Sequence, residues 1–236
     1  MVVGMNLTYS KLKNFVCLFF LYKLQSAQVK LKEFFMTEIN FITSNQGKIK
    51  ALENSFRLYN MNVLVHVRNL DIIEPQFDTV QEVSKFKALK AFEEIKEPVL
   101  VEDGGLSIEA LNGFPGVYTK YVLKTISIDG ILRLMQNCNN RAAKFVSVAT
   151  FVDEVGEVFQ FNREGGEFEI SSQKVDIESP FAWSELWKIL YLNEFEKNLC
   201  ELTQKELTLF YQQNGANGSI QKFAKWYTEK YNNKLF

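Results

Sequence analysis

The chain has 236 residues, and its 47% apolar content is enough to fill a continuous hydrophobic core in one large domain or two small ones. Its 27 basic and 28 acidic residues nearly cancel, which excludes a general electrostatic attraction to nucleic acid or to acidic membranes. A phosphate-bearing ligand must therefore be held by a local pocket. The three cysteines form no close pair and no metal-ligand spacing, so we expect a protein of the reducing cytoplasm without a disulfide framework.

The single histidine limits the chemistry that this chain can perform. His66 lies in the apolar run Val63–Val67, where a strand residue is a better interpretation than a catalytic one. One histidine excludes a multi-histidine zinc site, and a Ser-His-Asp triad would have to be built on His66. We therefore expect any catalysis to rest on carboxylates, lysines and a hard cation.

Residues 1–35 precede the region of clear α/β pattern and allow three interpretations. Basic residues followed by the apolar stretch Phe15–Tyr22 resemble a short export signal, although this stretch is too short to span a bilayer. The alternatives are an extra amphipathic helix, or translated sequence upstream of a true start at Met36. We favour the last, because Met36 leads directly into the strand-like run Ile39–Ile42. An exported or membrane-associated protein would depend wholly on residues 1–35.

From Met36 onward, apolar segments of strand length alternate with segments of helical period, which predicts one α/β or mixed α+β domain over residues 36–236. No Pro/Gly/Ser linker or internal repeat divides this region. In chain order, the predicted elements are the strand Ile39–Ile42, the helix Lys48–Tyr59, the strand Val63–Val67, the helix Gln81–Ile95, the strand Val99–Val101, the helix Ile126–Met135, a hairpin of Phe145–Val152 and Glu157–Phe161, and the helix Ile220–Tyr231.

The loop Thr43–Lys48 lies between a predicted strand and a predicted helix. Free backbone N–H groups and the helix dipole create an anion site at such a position, and Lys48 adds a full positive charge. The loop lacks the G-x-x-x-x-G-K-[ST] spacing of a Walker A motif. A polar N-cap of the helix is an equally good interpretation of the pattern alone.

Two adjacent carboxylates, Glu102 and Asp103, follow the apolar strand Val99–Val101, at the kind of strand end where sheet-based sites lie. Gly104 and Gly105 would let a ligand approach the backbone closely. One acid could hold Mg²⁺ while the other positions or deprotonates water. The alternative is an acidic turn that ends the strand.

Glu74, Lys87 and the segment Gly113–Lys120 each have an ordinary structural interpretation when taken alone. Glu74 adjoins the helix-breaking Pro75 in an apolar stretch, and Lys87 belongs to a run of lysines on a predicted helix, which is usually a solvated face. The segment Gly113–Lys120 is typical of a rigid Gly/Pro turn that presents an aromatic ring and a cation.

Taken in order, the sequences T-S-N-Q-G-K, I-E-P-Q, V-L-V-E-D-G-G-L and N-G-F-P-G-V-Y-T-K-Y resemble the inosine triphosphate pyrophosphatase family. The resemblance covers about Ile39–Phe151 and looks most like archaeal members. It implies an elongated α/β fold in which a long mixed sheet, flanked by helices, carries a central nucleotide cleft, in a protein that is usually a homodimer. It also implies Mg²⁺-dependent hydrolysis of non-canonical purine nucleoside triphosphates to monophosphate and pyrophosphate. From the balanced charge we expect no nucleic acid and no membrane partner.

The resemblance also assigns roles to individual residues. Asp103 would be the general base that orients and activates the attacking water, and it would share the metal with Glu74 and Glu102. Phosphoryl chemistry needs charge neutralisation and positioning more than a protein nucleophile, so this set suits the reaction. The residues that would bind the phosphates are Thr43, Asn45, Lys48 and Lys87.

The C-terminal third departs from the family pattern. The family's G-F-G-[YW]-D-P reads Pro180–Glu185 here: Phe181 and Trp183 keep the two aromatic rings that could contact the base, but Ser184 replaces the aspartate. The alternative interpretation of Phe181 is a residue of the hydrophobic core that does not contact the base. Gly104 also replaces the Ser or Thr that usually follows the catalytic aspartate.

Further replacements affect the residues that would select the base. A phosphate-binding lysine of the family becomes Leu207, and the His-Arg pair that reads the purine 6-oxo group becomes Gln212-Gln213. A glutamine amide can donate or accept, so it does not enforce a 6-oxo preference. The sequence is therefore compatible with two functions. One is an active pyrophosphatase with altered base selectivity, and the other is a catalytically impaired paralogue that binds a nucleotide or serves as a structural partner subunit.

Overall fold

Nine strands form one mixed sheet in the computed structural model, which describes residues 37–163 and 166–232. The extension predicted at 1–35 and the start predicted at Met36 lie outside these residues. In chain order the strands are β1 (Thr37–Ile42), β2 (Val63–Arg68), β3 (Val99–Ile108), β4 (Pro115–Gly116), β5 (Ala142–Val152), β6 (Val158–Asn162), β7 (Glu167–Ile170), β8 (Leu190–Leu192) and β9 (Lys197–Asn198).

The sheet order is β2-β1-β3-β5-β7-β8-β9, with β4 paired to β3 and β6 paired to β5. Strands β1 and β3 run parallel, whereas β3 and β5 form a long antiparallel ladder from the pair Val99 and Val152 to the pair Ile108 and Ala143. The predicted hairpin is confirmed as β5 and β6. A mixed sheet flanked by helices is the fold that the sequence predicted.

Six α-helices lie within the described residues: α1 (Gln46–Leu58), α2 (Val80–Ile95), α3 (Thr119–Thr125), α4 (Ser127–Leu134), α5 (Gln204–Asn214) and α6 (Ser219–Asn232). The four helices predicted from periodicity are confirmed as α1, α2, α4 and α6, with ends that differ by at most two residues. Helices α3 and α5 were not predicted.

Local sequence explains where the two central helices begin. Asn45 caps α1, because its side chain accepts the backbone N–H groups of Gly47 and Lys48. Thr79 and Glu82 form a reciprocal capping box at the start of α2.

Alternation along the strands places apolar side chains on both faces of the sheet. On one face, α1 and α6 cover Leu100 and Phe151 in a single hydrophobic cluster. On the other face, α2 packs against Val99 and Val101. A third cluster, which includes Leu106 and Trp187, fills the half of the domain beyond the central strands. The sheet is therefore covered on both faces where Glu102 and Asp103 lie.

The prediction that the apolar strand ends before its two acids was wrong. Strand β3 continues through Glu102, Asp103 and both glycines, because every residue from Val99 to Ile108 has a partner in β5. Gly105 makes this continuation possible beside β4, since a Cβ there would lie only 1.9 Å from the carbonyl oxygen of Gly116. The two acids thus belong to the rigid centre of the sheet and not to a turn.

Replacing Gly105 by alanine should therefore disrupt the contact between β3 and β4. We expect Gly105→Ala to lower the free energy of unfolding by about 2 kcal/mol or more, since the obstructing atom is backbone and cannot rotate away. Urea denaturation measures this change. Gly215→Ala is the matched control, because a Cβ there would meet open space; equal stability of the two variants would contradict the packing argument.

Candidate active site

The loop between β1 and α1 is held by its own side chains. Asn45 Oδ1 accepts the N–H groups of Gly47 at 2.8 Å and Lys48 at 3.3 Å, and Thr43 Oγ1 accepts the N–H of Asn45 at 3.1 Å. The polar N-cap interpretation is thus confirmed. The cap uses the N–H groups of Gly47 and Lys48, so the helix dipole and the Lys48 ammonium are what this loop still offers to an anion.

Lys48 extends from α1 to the first acid of β3. Its Nζ lies 2.7 Å from Glu102 Oε2 and also donates to the Glu102 carbonyl oxygen at 2.7 Å. The Glu102 side chain is only 9% exposed, and its Oε1 accepts a hydrogen bond from the hydroxyl of Ser219 at 3.3 Å. Ser219 is in turn 2.9 Å from the hydroxyl of Ser147. Glu102 is therefore a nearly buried carboxylate, neutralised by one lysine.

Lys87 extends from α2 to the second acid of β3. Its Nζ donates to Asp103 Oδ2 at 2.8 Å and to Glu74 Oε1 at 2.9 Å, while Asp103 Oδ1 accepts the N–H of Gly104 at 2.9 Å. Burial acts to lower the pKa of Lys87, but the Asp103 and Glu74 carboxylates outweigh it and raise the pKa above 10.5. Lys87 is therefore a fixed positive charge between two carboxylates.

The two adjacent acids of β3 lie on opposite faces of the sheet. Successive side chains of a strand alternate, so Glu102 points to the face covered by α1 and α6, and Asp103 points to the face covered by α2. Within the part of the chain that the structure describes, no group of three metal-ligating side chains comes together. The structure thus brings Glu74 and Asp103 together but separates both from Glu102.

The donor set beside Lys87 fits a hard divalent cation. Glu74 and Asp103 both contact one ammonium group, so their oxygens already surround a cation, and Mg²⁺ is usually bound by one or two carboxylates completed by water and phosphate oxygens. Glu74 is half exposed, which leaves room for those further ligands. A role for Glu102 as a metal ligand stays a prediction.

The two aromatic residues predicted to contact the base, Phe181 and Trp183, have different surroundings. The Trp183 ring lies 5.4 Å from that of Phe145 and 6.3 Å from that of Trp187, yet its side chain stays 57% exposed. Phe181 is exposed on the same loop. Trp183 is thus an anchored ring with an open surface, which is what stacking on a planar base requires.

Sequence reasoning missed three polar residues of this region. Ser147 and Ser219 join Glu102 in a hydrogen-bonded chain, and Arg163 follows β6 with its backbone N–H donating to the Ser147 carbonyl at 2.8 Å. Strand alternation could have placed Ser147 beside Phe145, but only tertiary pairing brings Arg163 and Ser219 to this face.

Other residues have structural explanations. His66 lies in β2 with its Nε2 3.1 Å from Glu38, as expected for a strand residue. Leu207 is 2% exposed and packs in the hydrophobic core, so a lysine could not replace it without burying a charge. Gln212 and Gln213 are exposed on α5.

A mixed sheet with a capped loop before α1 and with paired lysine–carboxylate groups supplies the charged side chains that phosphoryl chemistry uses. The sequence matches the Ham1 family over residues 39–209, and the chain belongs to that family. The match extends beyond Ile39–Phe151, the segment that carries the motifs, and it ends before Gln212.

Relatives with known names agree with this membership. The dITP/XTP pyrophosphatase of Thermococcus kodakarensis is 32% identical over 80% of this chain and 96% of its own, and that of Methanothermobacter marburgensis is 33% identical over 82% and 98%. The inosine triphosphate pyrophosphatase 1 of Trypanosoma cruzi is 36% identical over 52% of this chain and 62% of its own. A HAM1 protein from Coxiella burnetii shares the fold, with a TM-score of 0.68 at 20% identity over 82% of this chain and 100% of its own.

Removing Lys87 should expose the repulsion between Glu74 and Asp103. We expect Lys87→Met to lower the unfolding midpoint of the metal-free protein. Mg²⁺ should raise the midpoint of the variant by about 2–4 °C more than that of the parent protein, because in the variant the cation compensates two carboxylates that have lost their lysine. Differential scanning fluorimetry with and without Mg²⁺ measures this difference.

The matched control is Lys90→Met, on the same helix, because Lys90 pairs with the exposed Glu93 at 2.6 Å. A response to Mg²⁺ that is the same in both variants would contradict a cation site at Glu74 and Asp103.

Proposed function

We propose that this chain is a Mg²⁺-dependent pyrophosphatase that hydrolyses non-canonical purine nucleoside triphosphates to the monophosphate and pyrophosphate. The observation that carries the proposal is the contact of Asp103 and Glu74 with Lys87, in a chain whose relatives across four fifths of its length are dITP/XTP pyrophosphatases. Carboxylates and lysines are the groups that such a reaction needs, because it depends on charge neutralisation and on positioning.

Asp103 is the proposed catalytic residue. Its carboxylate is fixed by Lys87 on one oxygen and by the Gly104 N–H on the other, so it can orient a water molecule in one direction and accept its proton. Glu74 and Asp103 would hold Mg²⁺, and Glu102 remains a further proposed ligand. When bound, the cation would neutralise the charge on the phosphate oxygens.

The phosphates would be bound by both lysines and by the capped loop. The Lys87 ammonium has three donors and uses two of them on Asp103 and Glu74, so one donor is left for a phosphate oxygen. Lys48 lies in the first turn of α1, where the helix dipole also favours an anion. Thr43 and Asn45 complete the loop that would surround the phosphates.

The base would stack on Trp183, with Phe181 beside it, because Trp183 is held by two other rings and keeps an open surface. Among the described residues, no helix is both long enough and apolar enough to cross a membrane. We further propose a cytoplasmic homodimer, on the basis of the cysteine pattern and the family resemblance.

The decisive measurement is pyrophosphate release from inosine, xanthosine and ordinary purine triphosphates. We expect Mg²⁺-dependent release with ITP or XTP, and we expect Asp103→Asn to reduce kcat by about 10²- to 10⁴-fold, since an amide cannot accept the proton of water. Unfolding midpoints of both proteins would show that the variant still folds.

Asp129→Asn is the matched control, because Asp129 is exposed and pairs with Lys174 on the surface. Full activity of Asp103→Asn would remove Asp103 from the mechanism. If the parent protein turns over no triphosphate but is stabilised by one, the impaired nucleotide-binding paralogue becomes the better description.

A further inference from the structure

Arg163 lies on the sheet face that carries Glu102. Its backbone N–H donates to the carbonyl of Ser147 at 2.8 Å, and Ser147 pairs with Gly104 across the ladder of β3 and β5. Since Glu102 and Gly104 are two residues apart on one strand, the two positions lie on the same face of the sheet. Arg163 therefore continues a row that crosses three strands and passes beside Glu102.

The guanidinium of Arg163 has unused donors. Its Nε is buried without a hydrogen-bond partner, and it forms no ion pair within the described residues. The group lies close to Gly166, where a Cβ would be only 2.4 Å from Nη2. Gly166, which has a φ of +77°, thus provides the space that the guanidinium occupies.

Another guanidinium in the chain shows what a purely structural arginine looks like. Arg141 donates to the carbonyl oxygens of Met135 at 3.2 Å and Ser171 at 2.7 Å, and also to that of Ile170. Its donors are used to tie β5 to the adjoining chain. No acceptor for the Arg163 guanidinium lies within residues 37–163 and 166–232, and a partly buried cation without acceptors is costly unless a ligand supplies them.

The surroundings of Arg163 combine charge with aromatic surface. Burial lowers the pKa of its guanidinium, whereas Glu102 and then Tyr211 act in the opposite direction, so both lie within electrostatic range. Burial raises the pKa of the Tyr211 hydroxyl, and Trp183 acts in the opposite direction. Trp183 also packs on Phe145, which is two residues from Ser147 on the same strand face. The guanidinium and the ring on which a base would stack thus both adjoin the same face of β5.

The relatives act on dITP and XTP, so the chemistry shared by hypoxanthine and xanthine identifies a suitable ligand. Both bases present acceptors at O6 and N7, whereas adenine presents an amino donor at position 6. A guanidinium can only donate, and its planar fork fits two adjacent acceptors. The exposed amides of Gln212 and Gln213 can donate or accept, so they would not discriminate between these bases.

We propose that Arg163 is a specificity-determining residue that donates to the O6 and N7 edge of a 6-oxopurine and disfavours adenine. The proposal rests on the proposed function, since it concerns the same site, and it assigns base selection to the segment after β6 and not to helix α5.

The test compares kcat/KM for ITP, XTP and ATP in the parent protein, Arg163→Gln and Arg163→Lys. We expect Arg163→Gln to reduce kcat/KM for ITP and XTP by about 10- to 100-fold and to leave ATP unchanged or improved, as loss of a bidentate contact predicts. Arg163→Lys keeps the charge without the fork, so we expect it to lose much of the ITP to ATP preference as well.

Arg133→Gln, an exposed arginine on α4, is the matched control and should leave the preference unchanged. Unfolding midpoints show whether each variant folds. If Arg163→Gln does not fold, the ITP to ATP preference of Arg163→Lys tests the proposal. An equal loss with all three triphosphates would indicate a phosphate contact or a structural role and would overturn the proposal. An unchanged ITP to ATP ratio would overturn it too.

Calorimetric binding of IMP and AMP separates this proposal from the proposed function, because it requires no turnover. If the parent protein hydrolyses nothing, the proposed function fails; a preference for IMP that Arg163→Gln abolishes would still support Arg163 as the base-selecting residue. Equal binding of IMP and AMP by the parent protein would overturn it.

Discussion

The antiparallel ladder between β3 and β5 is the constraint on which the site depends. It runs without interruption from Val99 to Ile108, so the register alone decides which face each side chain of β3 points to. A slip of one residue would exchange Glu102 and Asp103 between the two faces. The same ladder places Ser147 opposite Gly104 and so determines where the chain beyond β6 meets the site.

Each acid of β3 is matched by one lysine from the helix on its own face. Lys48 compensates the nearly buried Glu102, and Lys87 compensates Asp103 together with Glu74. A carboxylate with so little solvent would be costly without a counter-charge, so the lysines stabilise the folded chain before any ligand binds. The groups proposed to bind phosphate therefore already have a structural role, and substrate would only add acceptors to donors that are in place.

The part of the domain that would contact the base is organised differently. Leu207 is a core residue, and Gln212 and Gln213 lie on the exposed surface of α5, beyond the residues that match the family. The aromatic surface of Trp183 and the guanidinium of Arg163, which has no ion pair among the described residues, instead come from two other segments. Such an arrangement would allow the phosphate chemistry to stay unchanged while the residues that select the base move within the fold.

The sequence by itself determined the alternation of strands and helices, the capped loop before α1 and the identity of the acids and lysines, because periodicity, caps and motif order are local properties. It did not determine that β3 continues past Glu102 and Asp103, since the partner strand that satisfies its backbone groups lies far along the chain. Nor could it place Arg163 and Ser219 beside Glu102. Only the long-range strand pairing and helix packing decide which distant side chains share a face, and that decides which residues form the site.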